Sequence, residues 1–68
     1  MPIPTTLKIY NVLGEVVRTL VNEPKWAGSY SVQWDGKNDK GEQLGSGVYF
    51  YELKVGDYTS AKKMVLLK

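Results

Sequence analysis

The chain has 68 residues, a formal charge of +2, and neither histidine nor cysteine. This length supports one domain with a thin core, since a chain of this size buries only about 60% of the surface it exposes when unfolded. The missing residue types exclude disulfide staples and the usual zinc and copper ligands. The weak charge, scattered apart from Lys62 and Lys63, argues for neither nucleic acid nor a membrane surface. No apolar run approaches a membrane span. Met1-Pro2-Ile3-Pro4 has neither the basic start nor the long apolar stretch of a secretory leader, and Met1 ahead of this Pro-rich stub reads as an expression start.

Apolar and polar residues alternate with the period of strands along most of the chain. The first predicted strand is Leu7 to Val12, with Leu7, Ile9 and Val12 as inward candidates, and Gly14 permits the turn that follows. Val16 to Val21 reads as the return strand; either Val17 and Val21 or Val16 and Leu20 can face inward. Asn22-Glu23-Pro24-Lys25 reads as a break, because proline cannot donate to a ladder. Gly28 to Trp34 has the clearest alternation, Tyr30, Val32 and Trp34 against Ser29, Ser31 and Gln33. Asp35 to Glu42 is turn chemistry, and Gly45-Ser46-Gly47 extends it. Val48 to Val55 follows, with Tyr49, Tyr51, Leu53 and Val55 on one face and Val48, Phe50, Glu52 and Lys54 on the other. Gly56-Asp57 signals a two-residue hairpin into a last strand, Tyr58 to Leu67. About five long strands joined by Gly-rich turns predict an all-β fold, a small antiparallel β-sandwich.

Nothing in this pattern predicts catalysis. Ser29, Ser31, Ser46 and Ser60 have no histidine base and read as solvent-facing or turn serines. Asp35, Asn38, Asp39 and Glu42 are hard oxygen donors suited to calcium, but Lys37 and Lys40 oppose a cation and break the EF-hand pattern, so Asx turns account for them better. Of the aromatic residues, Tyr30, Trp34, Tyr49 and Tyr51 read as core. Trp26 and Tyr58 remain as candidates for an exposed sugar-stacking platform. Lys62-Lys63-Met64-Val65-Leu66-Leu67-Lys68 has two readings: an ordinary last strand whose lysines protect an edge, or an exposed segment that a partner pairs with by strand addition.

The stretch from Leu7 to Val21 (Leu-Lys-Ile-Tyr-Asn-Val-Leu-Gly-Glu-Val-Val-Arg-Thr-Leu-Val) is followed in order by Ala27-Gly28, Trp34-Asp35-Gly36, Gly41, Gly47-Val48-Tyr49-Phe50-Tyr51 and Lys62 to Lys68. Together these resemble the type A C-terminal sorting domain of the type IX secretion system. Without the lysine-rich ending, the same pattern resembles the immunoglobulin-like domain of the flagellar hook-capping protein. Each piece alone is unspecific; the ordered set, spanning nearly the whole chain, is not. The resemblance implies an immunoglobulin-like sandwich at the C-terminal end of a larger exported protein, with no enzymatic activity, metal or cofactor. Its partner would be the outer-membrane secretion machinery, and its location secreted or at the cell surface after periplasmic transit. The family's export-recognition motif falls on Lys62, Lys63, Met64, Val65, Leu66, Leu67 and Lys68, and its structural turns on Gly14, Gly28, Asp35, Gly36, Gly41 and Gly47. The family carries an earlier strand before the Leu7 stretch, where this chain has only a stub, residues 1–6, ahead of the domain, residues 7–68. A missing first strand implies an unpaired edge, open to a homodimer or strand exchange. The competing expectations are a passive structural or assembly module and, after it, a carbohydrate-binding accessory domain.

Overall fold

The computed structural model describes residues 1–26, 28 and 31–67. Four strands, β1 (Ile3–Tyr10), β2 (Val16–Lys25), β3 (Gly47–Val55) and β4 (Tyr58–Leu66), form one antiparallel sheet in the order β2-β1-β3-β4. The fold is all-β and consistent with a small immunoglobulin-like sandwich, in which the connection between β2 and β3 lies opposite the sheet. Ile9, 2% exposed, is the one fully buried hydrophobic side chain among the described residues. It stands near the end of β1, next to Tyr10, opposite Arg18 on β2 and Tyr51 on β3.

The hairpins follow from local chemistry. Between β1 and β2, the Asn11 side-chain oxygen accepts from the backbone N–H groups of Leu13 and Glu15, both at 3.0 Å, an Asx arrangement that closes the turn. Val12 and Leu13 are carried into this turn and are exposed, so Val12 is not an inward residue of β1. Between β3 and β4, Gly56 takes the first turn position at φ 58°, as a two-residue hairpin requires. The β3 faces are those read from the alternation: Tyr49, Tyr51, Leu53 and Val55 pair with Met64, Lys62, Ser60 and Tyr58 on the inner face.

Four expectations are corrected. Pro24 does not interrupt β2, which runs on to Lys25 with Pro24 opposite Pro4. The Pro4 carbonyl accepts from Gly56 N at 2.9 Å, so Pro4 turns its hydrogen-bonding side toward β3, and Pro24 turns its own toward the outer edge, where no ladder donor is needed. The two alternatives for the inward face of β2 are both too regular. Register shifts near Leu20 and Val17 break the alternation, and Leu20 and Val21, neighbours in sequence, both face the interior. Finally, residues 31–34 of the expected Gly28 to Trp34 strand carry no strand pairing; Ser29 and Tyr30 lie outside the described residues. A strand needs a backbone partner. Val32 and Trp34 instead line the groove on the inner face of the sheet. Among the described residues, the five expected strands become four. The sheet also begins at Ile3, inside the segment expected to be a stub.

The connection is held at one end by its own turn. Leu44 N donates to Gly36 O at 2.9 Å, Lys37 bridges Gln43, and Tyr49 Oη donates to Gly45 O at 2.8 Å. Trp34 donates its indole N–H to Lys37 O at 2.9 Å and meets the Tyr49 ring edge-on, with centroids 5.4 Å apart. Gly36, at φ 79°, lies against Leu66 of β4; a Cβ there would stand 2.8 Å from Gln43 Nε2 and 3.4 Å from both Leu66 methyls. Gly41, at φ 82°, has nothing within 4 Å of the same construction. Gly36→Ala is expected to cost about 2 kcal/mol and Gly41→Ala about 1 kcal/mol, the first adding a close approach to the backbone strain that both share. Urea denaturation midpoints check this, and equal losses would show that the Gln43 side chain moves aside from Gly36 without cost.

Candidate functional site

Two regions are left open by this arrangement: the outer edge of β4, and part of the sheet's inner face. The other outer edge, that of β2, is occupied along its middle by the connection. Asp39 N donates to Val17 O, and Asp39 Oδ1 accepts from Thr19 N, both at 3.0 Å. Arg18 Nη1 donates to Asn38 O at 2.9 Å, with its Nε 3.9 Å from the half-exposed Asp39 carboxylate. One polar turn thus substitutes for a neighbouring strand. Nothing among the described residues pairs with the outer edge of β4.

The lysine-rich motif falls on and beyond the end of that edge. Register divides it between two faces. Lys62, Met64 and Leu66 lie opposite Tyr51, Tyr49 and Gly47 on the inner side, with Met64 and Leu66 half-buried. Lys63 and Val65 lie opposite Phe50 and Val48 on the outer side and are exposed, with Val65 also bordering the end of the inner groove. Leu67 follows the strand at 82% exposure, and Lys68 lies outside the described residues.

On the inner side a groove of about 720 Å³ runs between the sheet and the connection. Leu7, Ile9 and Leu53 form its floor, with Leu20 and Val21 at the β2 side and Met64 and Leu66 at the β4 side. Val32 and Trp34 stand over it.

The oxygen donors of the Asp35 to Glu42 turn are engaged with their own chain. Asp35 Oδ1 accepts from Lys37 N, and Asn38 Oδ1 accepts from Lys40 N and Glu42 N. Glu42 Oε1 accepts from Asn38 Nδ2 at 2.9 Å. Among the described residues no three acidic side chains converge on a common point. Of the expected turn residues, Gly14, Gly28, Gly36, Gly41 and Gly47 all have positive φ. Trp26 and Tyr58 are exposed, but they flank β2 and β4, the two opposite edges of the sheet. Three interstrand spacings, about 14 Å, separate those edges, too far for one stacking platform.

An all-β, antiparallel, immunoglobulin-like module is therefore the class this fold defines. Residues 3–60 match the model of the FlgD Ig-like domain, and the chain belongs to that family. The match begins where β1 begins and ends within β4, before Lys62. No curated protein and no solved structure matches the chain significantly.

A smaller cleft of about 420 Å³ on the outer side is lined by Tyr10, Val12, Phe50 and Glu52, among others. Tyr10 donates to Glu52 Oε1 at 3.3 Å. Burial raises the Tyr10 pKa, and the neighbouring Glu52 charge and hydrogen bond raise it further. A phenol whose folded pKa exceeds its unfolded value, about 10, contributes stability that is complete below that value and lost as pH rises through the folded one. Tyr10→Phe is expected to flatten the decline of melting temperature above about pH 10 relative to wild type. Parallel declines in the two proteins would exclude this linkage.

Proposed function

We propose that this immunoglobulin-like module is a non-catalytic sorting address, recognised by the type IX outer-membrane secretion machinery through β4, and carried by its cargo to the cell surface or medium. One observation carries this reading: the lysine-rich motif lies on the sheet edge that the fold leaves unpaired, whereas the other edge is blocked by Asp39. An unpaired edge can add a strand through its main-chain groups, while outward side chains select the partner. Lys63 and Val65 are the side chains in that position. The motif also lies beyond residues 3–60, the segment matched to the FlgD Ig-like domain.

The second reading is a passive module that spaces or assembles a larger protein. Membership of the FlgD Ig-like family favours it, because that match does not depend on the lysine-rich ending. A carbohydrate-binding role ranks third, since the exposed aromatics flank opposite edges.

Removal of the tail after Ala61 is a poor discriminator, because it also deletes Met64 and Leu66 from the inner face. Outward substitutions separate recognition from folding. A periplasm-targeted reporter fused to residues 1–68 is expected to reach the surface or medium of a bacterium with an active type IX system. The same fusion carrying Lys63→Glu and Val65→Glu is expected to remain in the periplasm, with an unchanged circular dichroism spectrum for the isolated domain. Retention of both fusions, with the wild-type domain folded, would exclude the sorting reading for this chain and leave the passive module.

A further inference from the structure

We propose that the outer edge of β4 takes up an extended segment of another protein that carries two adjacent carboxylates, one for each face of the sheet. This rests on the reading of β4 as the recognition edge, and it names the chemistry of the partner. The hydrogen-bonding sides of β4 follow from the register. Gly56 N donates to Pro4 O at 2.9 Å, so the even-numbered residues of β3 turn their main-chain groups toward β1. The odd-numbered residues of β3, Tyr51 among them, turn theirs toward β4 and meet its even-numbered residues. The free edge of β4 is therefore made of the N–H and C=O groups of Thr59, Ala61, Lys63 and Val65. Among the described residues nothing bonds these groups.

Charge defines what can pair there. Lys62 and Lys63 stand in the middle of β4, exposed and on opposite faces. The ion pairs among the described residues join Arg18 to Asp39, Lys25 to Glu23 and Lys54 to Glu52, and neither lysine of β4 takes part in one. Glu52 is the acidic residue diagonal to Lys63 across the sheet, and it is engaged by Lys54 and Tyr10. Residues directly opposite on paired strands share a face, so a strand laid along β4 sets two successive side chains against Lys62 and Lys63. Carboxylates at both positions complete two cross-strand charge pairs, and cations there are repelled. A second copy of β4 fails this test. An antiparallel pair joined through the outward groups of odd-numbered residues has, at its central registers, Lys62 against Lys62 or Lys63 against Lys63. The flanking positions ask for less: Val65, 59% exposed, suits an apolar neighbour.

Three peptides with blocked ends test this by NMR titration of the full chain: Thr-Val-Thr-Glu-Glu-Thr-Val-Thr, and the same sequence with Gln-Gln or Lys-Lys at its centre. The symmetric sequence allows either strand direction. The glutamate peptide is expected to shift the amides of Ala61, Lys63 and Val65 and to slow their hydrogen exchange. The amides of Lys62 and Met64, bonded to β3, are expected to be protected already in the free chain. The glutamine peptide is expected to bind about tenfold more weakly, and the lysine peptide not at all. Lys62→Gln and Lys63→Gln are each expected to weaken the glutamate peptide about threefold. Lys40→Gln, in the turn docked at the opposite edge, is expected to leave it unchanged. Circular dichroism confirms that the variants fold, and the peptide series on the wild-type chain needs no variant. Equal affinity for the glutamate and glutamine peptides would overturn the proposal and leave β4 an edge that pairs without regard to charge. Shifts confined to amides outside β4, or no binding of any peptide, would overturn it as well. The export reading fails separately. A glutamate-selective edge on a chain that stays in the periplasm keeps the acidic partner and removes the export machinery; an exported chain with an unselective edge does the reverse.

Discussion

The constraint on which this molecule depends is that a single sheet cannot bury its own apolar face. β1 is bonded on both sides, to β2 and β3, and Ile9 near its end is the one fully buried hydrophobic side chain among the described residues. Every other apolar residue of the inner face needs a cover supplied from outside the sheet. With so short a chain, the cover among the described residues is the connection between β2 and β3. Leu66 against Gly36, Trp34 against Tyr49, and the bond from Arg18 to Asn38 fasten it at one end of the sheet. Further along, Val32 and Trp34 stand over a groove rather than a filled core.

The polar turn within that connection shows how the same residue types serve two chemistries. Asp35, Asn38, Asp39 and Glu42 present the oxygen donors that a calcium loop would use. Here their oxygens accept from backbone or side-chain N–H groups, and Asp39 spends its carboxylate on Thr19 of β2. A carboxylate that bonds a strand edge both satisfies a donor and excludes a competing strand. The two edges of the sheet thereby become unequal, the β2 edge covered and the β4 edge open. On β4 the lysines at positions 62 and 63 act against promiscuous pairing, and the same charge would select an acidic partner strand over another copy.

Regular alternation made β3, β4 and their hairpin legible in the sequence, because period-2 patterning and Gly56-Asp57 act over a few residues. The β1–β2 hairpin was legible for the same reason, through Asn11 and Gly14. The bulges at Leu20 and Val17 were not, since they arise from how β2 wraps around β1 rather than from any local signal. Pro24 misled because its effect depends on whether it lies on an edge, which is a property of the whole sheet. The alternation around Val32 and Trp34 signals one wet side and one dry side, which residues over a sheet face satisfy without a ladder. The docking of Asp39 on β2 joins residues 20 positions apart in sequence and left no periodic trace. The division of the lysine-rich segment between two faces needed the register with β3.

That division governs how the motif can act. Met64 and Leu66 hold the last strand against the inner face, so a partner that reads them must compete with the fold. Lys63 and Val65 can be read without unfolding anything.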